Sequence, residues 1–232
     1  MTEALPTILI PGLLCTPRLY ADQIPALWRF GAVTIADHRH DDSMEGIAAR
    51  ILKAAPPRFA LAGLSMGGYI AYAVLRAAPE RVARLALIDT SARADLPEQS
   101  ERRKAQIALA QSGKLDEVVE AMLPLFLPAD RLNDTALVAT VRKMAQETGA
   151  DAFVRQQRAI MGRPDSRPDL SAIRCPTLVI VGEHDALTPP KVAREIAEGI
   201  AGSRLLVVPD CGHLSTLERP EAVTRALVEW MQ

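Results

Sequence analysis

The chain has 232 residues, room for one hydrophobic core with a modest insertion, because single cores stop growing at about 250–300 residues. Hydrophobic residues make up 49% and charged residues 24%, which excludes disorder of the whole chain; 27 Lys+Arg against 28 Asp+Glu leave a net charge of −1 and no basic stripe, which argues against a nucleic-acid partner. Cys15, Cys175 and Cys211 cannot all pair and show no CxxC spacing, so neither a disulfide framework nor a metal site is expected, and a cytoplasmic location fits. The opening Met1-Thr2-Glu3-Ala4-Leu5-Pro6 has no basic segment followed by a long apolar stretch, and no apolar run approaches ~18 residues; neither export signal nor membrane span is expected.

Short apolar runs alternate with helical patterns along the chain: Thr7–Ile10, Val33–Ala36, Phe59–Ala62, Leu85–Ile88, Thr177–Val181 and Leu205–Val208. Nearly uniform apolarity, rather than alternation, is the signature of parallel strands covered on both faces, so an α/β fold with a mostly parallel six-stranded sheet is predicted. Asp37-His38-Arg39-His40-Asp41-Asp42-Ser43 gathers histidines and aspartates but lacks regular ligand spacing, and reads as a turn with a helix cap at Asp42 or Ser43. Glu101-Arg102-Arg103-Lys104 reads as a solvated helix face. Between Ile88 and Thr177 no strand is convincing. Helices are predicted there near Glu98–Gln111, Leu115–Leu125, Thr135–Glu147 and Asp151–Met161, giving a core domain of residues 1–92 and 171–232 and a helical cap insertion of residues 93–170. Such an insertion is placed to act as a lid, with a packing subdomain as the alternative.

The strongest local motif is Gly63-Leu64-Ser65-Met66-Gly67, directly after the run Phe59–Ala62 and directly before a helical pattern over Met66–Ala77. A sharp strand-to-helix turn strains its central residue, and glycines on either side let strand and helix approach closely. The turn would lift Ser65 to the carboxyl edge of the sheet, beside a helix N-terminus that favours negative charge.

With Ile10-Pro11-Gly12-Leu13, Gly182-Glu183-His184-Asp185-Ala186-Leu187-Thr188-Pro189 and Cys211-Gly212-His213, this motif resembles the α/β-hydrolase family over nearly the whole chain, in that family's order of nucleophile, acid and histidine. The resemblance implies a catalytic Ser65, His213 as base and Asp185 as the acid that orients it, with Asp89 as the rival acid. It also implies an oxyanion hole from the backbone N–H groups of Met66 and Leu13, Leu14 being the fallback. The family's opening hairpin is missing, which leaves an edge that a second copy of the chain could cover as a homodimer. The expected activity is hydrolysis of a small ester or lactone through an acyl-enzyme, with no cofactor and no metal. A carbon–carbon bond hydrolase, a perhydrolase or haloperoxidase, an acyltransferase, and a non-catalytic binding protein stay open as alternatives. Serine at the elbow disfavours dehalogenases and epoxide hydrolases, which use aspartate there. For substrate contacts the reading points to Leu14, Leu123 and Phe126, and to Arg158 as a group for a substrate carboxylate.

Overall fold

The computed structural model describes residues 4–232; Met1–Glu3, the start of the segment in which no export signal is expected, lie outside the described residues. Six strands form one sheet: β1 (Thr7–Ile10), β2 (Val33–Ile35), β3 (Phe59–Leu64), β4 (Val82–Ile88), β5 (Thr177–Gly182) and β6 (Arg204–Val208). Their order is β2-β1-β3-β4-β5-β6 and every pair is parallel, as the unbroken apolar runs require. The interior strands β1, β3 and β5 are buried along their whole length, whereas β2 and β6 at the two edges are only partly covered.

The largest departure from the expected strand bounds is at β4. β4 begins at Val82, three residues before the apolar run read from Leu85, because Arg84 interrupts the run without leaving the sheet: its guanidinium reaches the Trp230 carbonyl at 2.6 Å.

The helices are α1 (Ile24–Trp28), α2 (Met44–Ala54), α3 (Met66–Ala77), α4 (Pro97–Gln111), α5 (Leu115–Phe126), α6 (Thr135–Thr148), α7 (Ala150–Met161), α8 (Pro190–Gly199), α9 (Ser215–Glu218) and α10 (Pro220–Met231). Parallel crossovers are right-handed, so the step from β1 out to β2 puts α1 on one face, and the later steps the other way put α2, α3 and α8 on the opposite face. α1 packs on α10 and α2 packs on α3 accordingly. Chain direction across the sheet reverses between β1 and β3, and ligands of open parallel sheets bind in the crevice that such a reversal opens at the strands' carboxyl ends.

Helices α4 to α7 all lie between β4 and β5. Their ends fall within two residues of the predicted ones, and α5 runs through Pro124 to Phe126. Buried residues of this insertion, among them Leu123, Val141, Phe153 and Ile160, join those of the sheet in one continuous core. Among the described residues, no helix is long and apolar enough to cross a membrane.

Candidate active site

Ser65 is the only residue between β3 and α3, and it carries φ 54° and ψ −115°, a conformation that costs an L-residue energy and persists only where neighbours enforce it. The enforcement is visible. Ser65 donates its N–H to the Ile88 carbonyl at 2.9 Å, and the Thr90 hydroxyl donates to the Ser65 carbonyl at 2.7 Å. A Cβ on Gly63 would run into the Gly67 carbonyl, and one on Gly67 into the Ile10 carbonyl, so the turn closes only with glycine at both places.

His213 follows β6 and is 1% exposed. Its Nε2 lies 2.9 Å from Ser65 Oγ, and its Nδ1 lies 2.8 Å from Asp185 Oδ2. Asp185 in turn accepts the N–H groups of Leu187 and Thr188 at 2.8 and 2.9 Å and the Thr188 hydroxyl at 2.7 Å, so every lone-pair direction is used. The histidine loop is held by buried Glu218, which accepts the N–H groups of Gly212 and Leu214, and by a bond from the His213 N–H to the Phe126 carbonyl at 3.0 Å. The Phe126 ring stacks on the imidazole, with centroids 6.0 Å apart.

The second buried carboxyl, Asp89, does not touch the imidazole. It accepts from the Gly182 N–H (2.9 Å), the Ser215 N–H (3.1 Å) and the Ser215 hydroxyl (2.5 Å), bracing the ends of the two loops that carry Asp185 and His213. Burial and the nearby Asp185 charge push the Asp89 carboxyl up to about 8. Burial opposes ionisation of Asp185 as well, but the field and hydrogen bond of His213 prevail and hold it below the usual carboxylate range. Burial likewise disfavours an imidazolium at His213, and Asp185 more than offsets it, raising His213 above the ordinary histidine value. The two carboxyls are thus pushed in opposite directions, Asp89 upward and Asp185 downward.

After β1 the chain turns at Gly12. Among the described residues the Leu13 N–H has no partner, and the Met66 N–H, first in α3, has none within the helix. Leu14 differs: with φ 60° it donates its N–H to Gln156 Oε1 at 3.2 Å, which occupies the fallback donor. Buried His38 places Nε2 2.9 Å from the Gly12 carbonyl and 3.1 Å from the Gln156 amide nitrogen. Sequence reasoning missed both residues as supports of this loop. His38 sits just past β2 at the same sheet edge, a signal that was absorbed into the Asp37–Ser43 turn; in that turn Ser43 does cap α2 by accepting the Gly46 N–H.

A cavity of about 570 Å³ opens over Leu13, Ser65 and His213, with Tyr69, Met122, Leu125, Phe126 and Ile160 on its walls. Of the expected substrate contacts, Phe126 lines it. Leu14 and Leu123 are buried and outside its lining, Met122 and Leu125 being there instead. Arg158 is exposed, because α7 turns Phe153, Gln156, Gln157 and Ile160 inward and leaves Arg158 on its outer face. The run Glu101–Lys104 is not uniformly a solvated face: Glu101 and Lys104 pair in solvent, while Arg102 and Arg103 line the cavity.

A model of the alpha/beta hydrolase family matches residues 8–226. Protein BpoC of Mycobacterium tuberculosis, provisionally named a non-heme bromoperoxidase, is 34% identical over 184 residues, 77% of this chain and 69% of the relative. An esterase from Thermogutta terrifontis, solved with malate bound, is 31% identical and superposes with a TM-score of 0.89 over 98% of this chain and 89% of its own. The enol-lactonase of Burkholderia xenovorans LB400 is 28% identical, with a TM-score of 0.90 over 99% of this chain and 92% of its own.

Proposed function

The chain belongs to the alpha/beta hydrolase family, and we propose that within it the protein is a serine hydrolase that cleaves a small carboxylic ester or lactone through an acyl-enzyme. The observation that carries this reading is the unbroken chain from Ser65 Oγ to His213 Nε2 and from His213 Nδ1 to Asp185 Oδ2, at 2.9 and 2.8 Å, beside two backbone N–H groups without a partner among the described residues.

A serine hydroxyl is a poor nucleophile near neutral pH unless a base takes its proton as it attacks. His213 is in hydrogen-bond reach to do so. Asp185 fixes the tautomer with the proton on Nδ1 and the lone pair on Nε2, and its charge stabilises the imidazolium that forms. Attack puts negative charge on the carbonyl oxygen, which the N–H groups of Leu13 and Met66 and the positive end of α3 would receive. His213 then passes its proton to the leaving alkoxide, and the acyl group stays on Ser65. Water, deprotonated by the same histidine, releases the acid and restores the serine. Apolar walls from Met122, Leu125, Phe126 and Ile160 suit the hydrocarbon part of such a substrate.

Hydrolysis of a short and a long p-nitrophenyl ester by the wild type, Ser65→Ala, His213→Ala, Asp185→Asn and Asp89→Asn tests the reading. Loss of turnover in the first two variants supports it; wild-type rates retained by Ser65→Ala would end it. A second reading has one specific support, the likeness to BpoC. Hydrogen peroxide in place of water would attack the same acyl-enzyme, giving a peracid and free Ser65, which bromination of a dione in acetate, peroxide and bromide would reveal.

A further inference from the structure

The same cavity holds a charge imbalance. Asp95, with a side chain 2% exposed, is gripped by two guanidinium groups: Arg163 Nη1 at 2.6 Å from Oδ1 and Arg103 Nε at 2.7 Å from Oδ2, their side chains 6% and 16% exposed. Arg163 also donates to the carbonyls of Arg93 and Ile160 and lies over the Tyr69 ring, 4.2 Å from its centroid; Arg103 donates to Gln157 Oε1. Two cations on one anion leave one positive charge uncompensated away from bulk water, which is costly unless a further anion arrives. Arg163 Nη2 and the Tyr69 hydroxyl make no hydrogen bond with the described residues. Arg102 from α4 and Lys191 from α8 line the same cavity, and neither has a carboxylate partner among the described residues. Arg93 and Arg167, also on the lining, are by contrast satisfied by Glu195 and Asp165.

We propose that the substrate carries a carboxylate remote from its scissile bond, and that Arg103, Arg163 and Arg102 receive it in this cavity. The proposal takes the ester chemistry from the serine-hydrolase reading; the anion site itself stands on the charge imbalance. Position supports it. Tyr69, under Arg163, begins the second turn of α3 and its backbone N–H donates to the Ser65 carbonyl, so the anion would sit above the first turn of that helix while the reacting carbonyl sits at its start. A carboxylate bound by paired guanidinium forks gains both charge and geometry. Nucleophile at one end and fixed cation at the other would set the length of the acyl chain as well as its charge.

The test compares monomethyl adipate with methyl hexanoate, followed by release of acid, in wild type, Arg103→Gln and Arg102→Gln, with and without about 1 M NaCl. The expected result is a kcat/KM at least about tenfold higher for the half-ester in wild type, the ratio falling toward one in both variants and shrinking in salt. Calorimetric titration of Ser65→Ala with the same two esters reads the anion site without turnover; it should bind monomethyl adipate and bind methyl hexanoate more weakly by a similar factor. Equal handling of the two esters in both measurements, or a preference indifferent to Arg103→Gln and salt, overturns the proposal. If Ser65→Ala binds the half-ester selectively while wild type turns over neither ester, the anion site stands and the serine-hydrolase reading fails.

Discussion

Ser65 and Asp185, far apart in sequence, meet the two ring nitrogens of His213. Ser65, Asp185 and His213 were candidates through the family resemblance, and each sits in a short loop after a strand, where parallel strands deliver all such loops to one edge. Which of two buried aspartates serves the histidine is a question of side-chain direction. Asp89 has the right loop but turns to Gly182 and Ser215, whereas Asp185 meets Nδ1. Asp185→Asn is therefore expected to lower kcat by roughly 10³–10⁴-fold, because an amide presents the wrong tautomer to the base. Asp89→Asn, at a carboxyl that does not touch the imidazole, should cost less than about tenfold in the same ester assay. A second expectation concerns pH. The base works only when neutral, and Asp185 raises His213 above an ordinary histidine, so activity falls with acid at a pH above that of a free imidazole. A kcat/KM profile of Asp185→Asn on its residual activity should show that limb moved to lower pH. Arg158 shows the opposite limit of sequence reading: a basic residue near the end of α7 looked suitable for the site, but helix phase decides direction, and it faces solvent.

The loop after β1 offers its Leu13 amide only if Gly12 and Leu14 are held. His38 from the end of β2 and Gln156 from α7 do this, 118 residues apart, so no local pattern announces the pair. The insertion is thereby tied to the oxyanion loop, as it is tied to the histidine loop through Phe126. Gln156→Leu should lower kcat by about 10–100-fold with KM changed far less, since the loss would fall on transition-state stabilisation; Gln156→Glu, which can still accept the Leu14 N–H, should recover part of it. Parallel changes in kcat and KM would assign Gln156 to substrate binding instead. Secondary structure was legible wherever apolar runs were unbroken, as in β1, β3 and β5. It was not legible at β4, where Arg84 satisfies its charge on a distant carbonyl and lets the strand start early.

At the scale of the molecule, sheet order and insertion make one core, and that core encloses two of the three thiols. Cys15 and Cys211 lie two residues from Leu13 and from His213 in sequence, and both are buried. Burial pushes Cys15 up to about 12 and, with the Glu218 charge, raises Cys211 too, so neither supplies thiolate near neutral pH. Iodoacetamide at neutral pH should leave ester turnover intact, and Cys15 and Cys211 should label only as denaturant unfolds the whole chain, as peptide mapping would report. The family and the parallel sheet were readable in advance, since they rest on the rhythm of runs and one strained turn; the charged wall was not, because it assembles from three separate segments. The most direct test of the central claim is the intact mass of the protein after exposure to a fluorophosphonate. The account predicts one adduct, mapped to Ser65, absent in Ser65→Ala and formed far more slowly in His213→Ala. A wild-type protein that stays unlabelled, or carries the adduct on another residue, would contradict it.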